Sequence, residues 1–371
     1  MTGTMSSRIP VTLLTGFLGS GKTTILNHLV QQSELADALV IINEFAAIPL
    51  DHQLVAHSTD NVVMEMNSGC LCCTIRGDLI TTLRDIHWRF SRGGQRQFDR
   101  VLIETTGLAD PAPIIHTLMT QAEVATRYRL DGIVTALDLA TGSGMLDVHP
   151  EAIRQVAMAD VLLLTKGDLI TPRQRSALER RLDSINPAAP RLDVPNGVVA
   201  PDGLLNLGFF STDGKTPDVK RWLREEAYAD THTAGVEHDG HDHSEDHSGL
   251  HHGHDTHDVN RHDDHIRAFC FSLNEPIPEV VLAAWLETLL RFAGSNILRV
   301  KGILNVEGHD RPYVIQGVQH IFHPPMSLPA WPDDDHRSRV IFITRDVNRQ
   351  AIEETFDAFR QAVPQAWVAE S

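Results

Sequence analysis

Over the first 225 residues, short apolar runs alternate with amphipathic stretches. Val11–Leu14, Leu39–Ile42, Val101–Ile103, Ile133–Leu137 and Val161–Leu164 are β-rich, and each is followed by Gly, Pro, Asn or Asp signals that predict a turn. Between them, Lys22–Gln32 and Asp78–Phe90 carry a helical period. Strand–helix alternation predicts a mostly parallel sheet, because a parallel crossover needs a long connection and the helix that fills it covers one face. Such sheets take their ligands beyond the carboxyl ends of the strands.

The pattern breaks between about 230 and 265. Eleven of the chain's 21 His lie from His232 to His265, among Asp, Gly and Ser. With almost nothing to bury, the segment reads as a solvated, disordered linker. From Ile266 the apolar pattern resumes. Ala268–Leu273, Leu298–Leu304, Tyr313–Val318 and Val340–Thr344 predict strands; Pro278–Phe292 and Asn348–Val363 predict helices. The expected organisation is a first domain over 1–229, a His/Asp-rich linker over 230–265 and a smaller α+β domain over 266–371. No repeat of 20–50 residues is visible.

Composition adds three constraints. The chain has 371 residues, 42% hydrophobic and 22% charged, which suits a globular protein with room for two domains. Net charge is −17, which disfavours nucleic acid and anionic membranes as partners. Nine acidic residues and one Arg between Glu237 and Asp264 supply −8 of it. No apolar run reaches the roughly 18–20 residues of a membrane span, and the N-terminal pattern is no signal peptide, so a cytoplasmic chain is expected. Of four Cys, three fall within four residues, Cys70, Cys72 and Cys73. Disulfides that close loops would be spread out, so the cluster points to soft-metal binding or redox chemistry.

Gly16-Phe17-Leu18-Gly19-Ser20-Gly21-Lys22-Thr23 has the spacing of a phosphate-binding loop, with a strand before it and a helix after it. Its glycines let backbone N–H groups curl around phosphate oxygens, and the helix aims its positive end at the same charge. Lys22 is placed to reach the β and γ phosphates, and the Thr23 hydroxyl to bind Mg²⁺. With Val11–Leu14 and the later strands, the fold class is α/β, a P-loop NTPase followed by the smaller α+β domain. Val101-Leu102-Ile103-Glu104 is an apolar strand ending in a carboxylate able to act on Mg²⁺ or its waters. Gly107, three residues on, offers an N–H to a γ-phosphate. Leu108 follows where a water-orienting Gln would stand, so unaided hydrolysis should be slow. Thr165-Lys166-Gly167-Asp168 ends another buried strand. Asp168 matches guanine's paired N–H donors, which adenine lacks, and the Lys166 stem suits the base plane. Most GTPases carry Asn where Thr165 stands.

Three thiolates suit Zn²⁺ or Cu⁺, and three protein ligands leave a tetrahedral position open for exchange. Three Cys in four residues do not all face one core. Imidazoles of the His tract bind Zn²⁺, Ni²⁺ or Co²⁺, with modest affinity per site because the segment must be ordered, which favours loading or buffering, although a solubilising spacer fits the composition too. Cys270, in an apolar strand, reads as core, and Trp222, Trp285 and Trp331 as packing.

Together these residues resemble the CobW-type P-loop GTPases, the metal-chaperone family within the G3E group. The likeness covers nearly the whole chain. It rests on Gly16–Thr24, Asn43-Glu44-Phe45, Gly69–Cys73, Glu104–Pro111, Thr165–Asp168, Leu298–Leu304 and Gln316–Gln319. It implies that Gly16, Gly19, Ser20, Gly21, Lys22, Thr23, Thr24, Thr165, Lys166 and Asp168 hold GTP. It also implies that Lys22, Glu104 and Gly107 serve hydrolysis, and that zinc or another divalent metal, Co²⁺ or Ni²⁺ included, binds at Cys70, Cys72 and Cys73. Thr at 165 lies within the family's range. A client metalloprotein is the implied partner, and a homo-oligomer is compatible. The family pattern Asn-Glu-Phe-Gly-Glu reads Asn43-Glu44-Phe45-Ala46-Ala47 here, so one acidic residue is lost while Glu44 survives as a candidate fourth ligand or metal-entry residue, although a solvated strand-end acid fits it too. Two other readings use the same residues: an ATP-dependent kinase or ATPase, separated by GTP–ATP competition, and a non-catalytic metal store or sensor, separated by turnover.

Overall fold

The computed structural model describes residues 8–42, 63–65, 73–92, 95–207, 265–322 and 325–362. The first unit runs β1 (Ile9–Gly16), α1 (Lys22–Leu29), β2 (Ala38–Ile42), β3 (Val63–Glu65), α2 (Cys73–Arg89), the two-residue strands β4 (Ser91–Arg92) and β5 (Gln95–Arg96), β6 (Arg100–Glu104), α3 (Ala112–Thr120), α4 (Ala122–Ala125), β7 (Tyr128–Asp138), α5 (Gly142–Val148), α6 (Pro150–Met158), β8 (Val161–Thr165), α7 (Pro172–Ile185) and β9 (Arg191–Asp193). Seven strands form one sheet in the order β3-β2-β6-β1-β7-β8-β9. Every pairing in it is parallel. β4 and β5 form a separate small hairpin.

Both faces of this sheet are dry, which is why its strands read as continuous apolar runs. Val11 and Leu13 of β1 enter the cluster built with α2 and α3, while Leu14 joins α1 on the opposite face. All eleven residues of β7 are buried, far beyond the apolar run Ile133–Leu137. The acid within it is matched: Asp131 accepts from Arg100 (2.6 Å), Arg129 (3.2 Å) and the Asn206 N–H (2.8 Å).

The second unit has the strands β10 (Ile266–Leu273), β11 (Ile297–Leu304), β12 (Tyr313–Val318), β13 (Ile321–Phe322), β14 (Met326–Ser327) and β15 (Ser338–Arg345). They form an antiparallel sheet ordered β10-β15-β11-β12-β13, with β14 on β12. Helices Glu279–Ala293 and Arg349–Ala362 pack on it around Trp285, Phe342 and Phe356. Cys270 is buried and Trp285 is fully enclosed, as read from the sequence. The His/Asp-rich segment and Trp222 lie outside the described residues.

The two sheets do not stand apart. Ile266, Leu298 and Ile343 share one apolar cluster with Phe17, Ile153 and Leu162 of the first unit, and Val318 joins the cluster of β1 and α3. At the same junction Asp160 is gripped by Arg299 and Lys301 of β11, and Arg299 also donates to the Met158 carbonyl at the end of α6. Among the described residues no helix is long and apolar enough to cross a membrane.

Candidate functional site

Gly16, Glu104, Asp138 and Thr165 end β1, β6, β7 and β8, so four strands deliver them to one edge of the sheet. The loop from Gly16 to Gly21 bends back over that edge. Its sharpest requirement is at Gly16, with φ 139°, where a Cβ would lie 2.2 Å from the Ala136 carbonyl oxygen. Gly19 (φ 73°) and Gly21 (φ 90°) also occupy the left-handed region, and Gly21 leads into α1 without a side-chain cap. The first N–H groups of α1 therefore face the loop's hollow.

Lys22 is buried, and its Nζ donates to the carbonyls of Gly16 (2.9 Å) and Phe17 (3.1 Å), so the ammonium spans the loop. Thr23 donates its hydroxyl to Glu104 Oε1 at 2.8 Å, a contact between residues 81 apart in sequence. A hydroxyl and a carboxylate side by side are hard oxygen donors, the chemistry that suits Mg²⁺. Ser20 is buried, and its carbonyl accepts from the Thr165 hydroxyl at 2.9 Å. Thr165, read as a departure from the usual Asn, thus ties the loop to β8. Thr24 is exposed and borders the turn at Gly197, where a Cβ would lie 2.7 Å from Thr24 Cγ2.

Lys166 has φ 55° and its Nζ donates to Asp138 Oδ2 at 2.7 Å. Burial pushes the Asp138 pKa up, but the bonds from Lys166, Ala140 and Thr141 outweigh it and hold the carboxyl below its usual range. Asp168 lies exposed on the following turn. Asp138 was not singled out in the sequence, although it closes β7 as Glu104 closes β6.

Gly107 comes so close to the phosphate loop that a Cβ there would lie 2.5 Å from the Leu18 nitrogen. The turn is closed by Ala109 N–H donating to Thr106 O at 3.1 Å. Behind it, Gln155 of α6 donates to the carbonyls of Gly107 (3.3 Å) and Ala109 (2.9 Å). Nothing in the sequence marked Gln155.

Glu44, Cys70 and Cys72 lie outside the described residues, and Cys73 is placed as the first residue of α2. Asp78–Phe90 therefore underestimates that helix, which starts five residues earlier. β2 ends at Ile42, shortly before Glu44 in the sequence, and β3 ends at Glu65, shortly before the cysteines, both at the sheet's carboxyl edge. Ile42, the last residue of β2, pairs in register with Glu104 of β6 and with Glu65, the last residue of β3. Among the described residues no three His, Cys, Asp or Glu side chains converge as a metal site.

Comparison with known proteins yields a family and several relatives. Residues 10–193 match the family described as CobW/HypB/UreG, nucleotide-binding domain, and residues 266–360 match the cobalamin synthesis protein CobW C-terminal domain. The Escherichia coli protein named zinc chaperone YjiA is 30% identical over 354 residues, covering 95% of this chain and 99% of that one. The crystal structure of Zn(II)-bound YjiA GTPase superposes with a TM-score of 0.66 at 27% identity, over 95% of this chain and 99% of that chain. A Dictyostelium discoideum protein named zinc-regulated GTPase metalloprotein activator 1 is 29% identical over 254 residues, 59% of this chain and 52% of its own length.

Proposed function

The chain belongs to the CobW/HypB/UreG family of nucleotide-binding proteins, and from that footing we propose that it is a GTP-hydrolysing metallochaperone whose cargo is zinc or a similar divalent metal. The observation that carries the nucleotide half is the 2.8 Å bond between Thr23 and Glu104, which joins the phosphate loop to the strand-end carboxylate beside the Lys22 ammonium. Gly16, Gly19, Ser20, Gly21 and Thr24 shape the cradle. Lys22 meets the β and γ phosphates. Thr23 and Glu104 hold Mg²⁺, which when bound neutralises charge on the transferring phosphoryl group. Gly107 presents its N–H to the γ-phosphate. Asp168 accepts from guanine, Lys166 packs on the base, and Thr165 steadies the loop beneath it.

The relatives' names as zinc chaperone and metalloprotein activator support the cargo and a client metalloprotein as recipient. Cys70, Cys72 and Cys73 take the metal as thiolates, with Glu44 as the fourth ligand. The sequence carries them directly on from Ile42 and Glu65, which lie at the edge that carries Glu104, and this continuity supports coupling between the γ-phosphate and the metal. Coupling of this kind is reciprocal, so metal and nucleotide must alter each other's affinity by the same factor.

Zinc titration with GDP and with a non-hydrolysable GTP analogue tests this. The expected result is at least a fivefold difference in zinc affinity between the two states, lost when Cys70, Cys72 and Cys73 are replaced by Ser. Equal affinities in both states would end the gating reading, and unchanged zinc affinity in the Ser variant would end the assignment of the ligands. The base assignment has its own check. Asp168→Ala should bring GTP and ATP affinities to within a few-fold of each other, because the carboxylate's two bonds to guanine are what separates them. Retained GTP preference in that variant would remove Asp168 from the role.

A further inference from the structure

We propose that Gln155 is a positioning residue for GTP hydrolysis, holding the Gly107 turn in the posture that meets the γ-phosphate. The inference rests on the GTPase reading above and adds to it a side chain that touches neither nucleotide nor metal.

Gln155 lies near the end of α6 and is almost wholly buried, at 1% exposure. Its amide nitrogen donates to two carbonyls of one turn, those of Gly107 and Ala109. That pair fixes the amide's orientation, since the flipped amide would set its oxygen against both carbonyls. Its own oxygen is left buried with no hydrogen-bond partner among the described residues. An apolar residue would fill this space without stranding an acceptor, so packing alone does not account for an amide here. What the amide does is pin the turn from behind.

The anchorage of α6 makes the pin stiff. The Gln155 carbonyl accepts from Thr135 of β7 at 2.9 Å. Next to it, Arg154 reaches Asp110 at 3.4 Å, on the far side of the same turn. The carboxyl end of the helix is capped by Asn186, which donates to the carbonyls of Val156 (2.9 Å) and Ala159 (3.0 Å), and by Arg299 of the second sheet. A turn held this way has its N–H oriented before the phosphate arrives, so less reorganisation is needed in the transition state. No Gln follows Gly107 to orient water, and preorganisation of the turn is correspondingly weighty.

The test compares wild type with Gln155→Met, which keeps an unbranched chain of similar length, and Gln155→Glu, which keeps the shape. GTP turnover is measured together with affinities for GDP and for a non-hydrolysable GTP analogue. For Gln155→Met the expected result is a kcat lowered about tenfold or more, analogue affinity weakened several-fold, and GDP affinity within twofold of wild type, since GDP has no γ-phosphate to meet the turn. For Gln155→Glu, burial favours the neutral acid, which donates one hydrogen bond, so its kcat relative to wild type should rise from pH 8 to pH 6. A Gln155→Met protein that turns over GTP at the wild-type rate overturns the proposal. Equal weakening of GDP and analogue also overturns it, because that pattern marks general damage to the site. If wild type shows no GTP turnover, the GTPase reading fails, and the ratio of analogue to GDP affinity in the variants still decides the role of Gln155.

Discussion

Asp160→Ala should cost about 3–5 kcal/mol of stability, because it leaves two cations buried without their counter-charge. The side chains of Asp160 and Arg299 are each 6% exposed and that of Lys301 is 11% exposed, and both cations meet the one carboxylate. Burial pushes the Asp160 pKa up, but Arg299, Lys301 and the Ile133 N–H together outweigh it and hold the carboxyl below the ordinary value of 3.8. Burial pushes the Lys301 ammonium down to about 8 despite Asp160. A carboxyl depressed in the folded state contributes its full stabilisation above the unfolded value and loses it as pH falls through the folded one. The part of the stability gap between wild type and Asp160→Asn that comes from this carboxyl should therefore be full above about pH 5 and shrink below about pH 4. Urea unfolding of both proteins across that range is the measurement. A loss under about 1 kcal/mol for Asp160→Ala at pH 7, the size of a surface pair, would show the junction is not held this way.

Lys22→Ala should weaken nucleotide binding by about 30- to 5,000-fold, the effect of removing a charged partner worth roughly 2–5 kcal/mol from a desolvated contact. The ammonium is buried and already spans the loop through the Gly16 and Phe17 carbonyls, so little ordering remains when phosphate arrives. The helix itself should be spared, since Ala is the better helix former at the start of α1. Lys22→Arg should not rescue, because a planar guanidinium does not replace a compact point charge in this bend. Fluorescence titration with GTP and GDP, beside a melting curve, separates binding from folding. A dissociation constant within threefold of wild type would take Lys22 out of the cradle.

Where chemistry is contiguous, the sequence was readable. The loop from Gly16 to Thr23 carries its own geometry, because each glycine answers a local backbone demand. The buried strands announced themselves as apolar runs because both faces of the sheet are covered. Edge strands did not. β9 is half-exposed and only three residues long, with no apolar run to find, and β3 is equally short. The start of α2 was misplaced to Asp78 because an Asp is a stronger start signal than the Cys73 that begins the helix.

The amino-acid order alone determined the α/β class, the alternation that brings strand ends to one sheet edge, and the phosphate-loop, Glu104 and Thr165 motifs that meet there. Tertiary structure decided which distant residues meet. Gln155 reaches a turn 46 and 48 residues away, and Asp160 finds its cations 139 and 141 residues on. Such pairs leave no periodic or local trace, because their partners are chosen by how helices and sheets pack, and burial is what turns an ordinary Gln or Asp into a residue that must be satisfied.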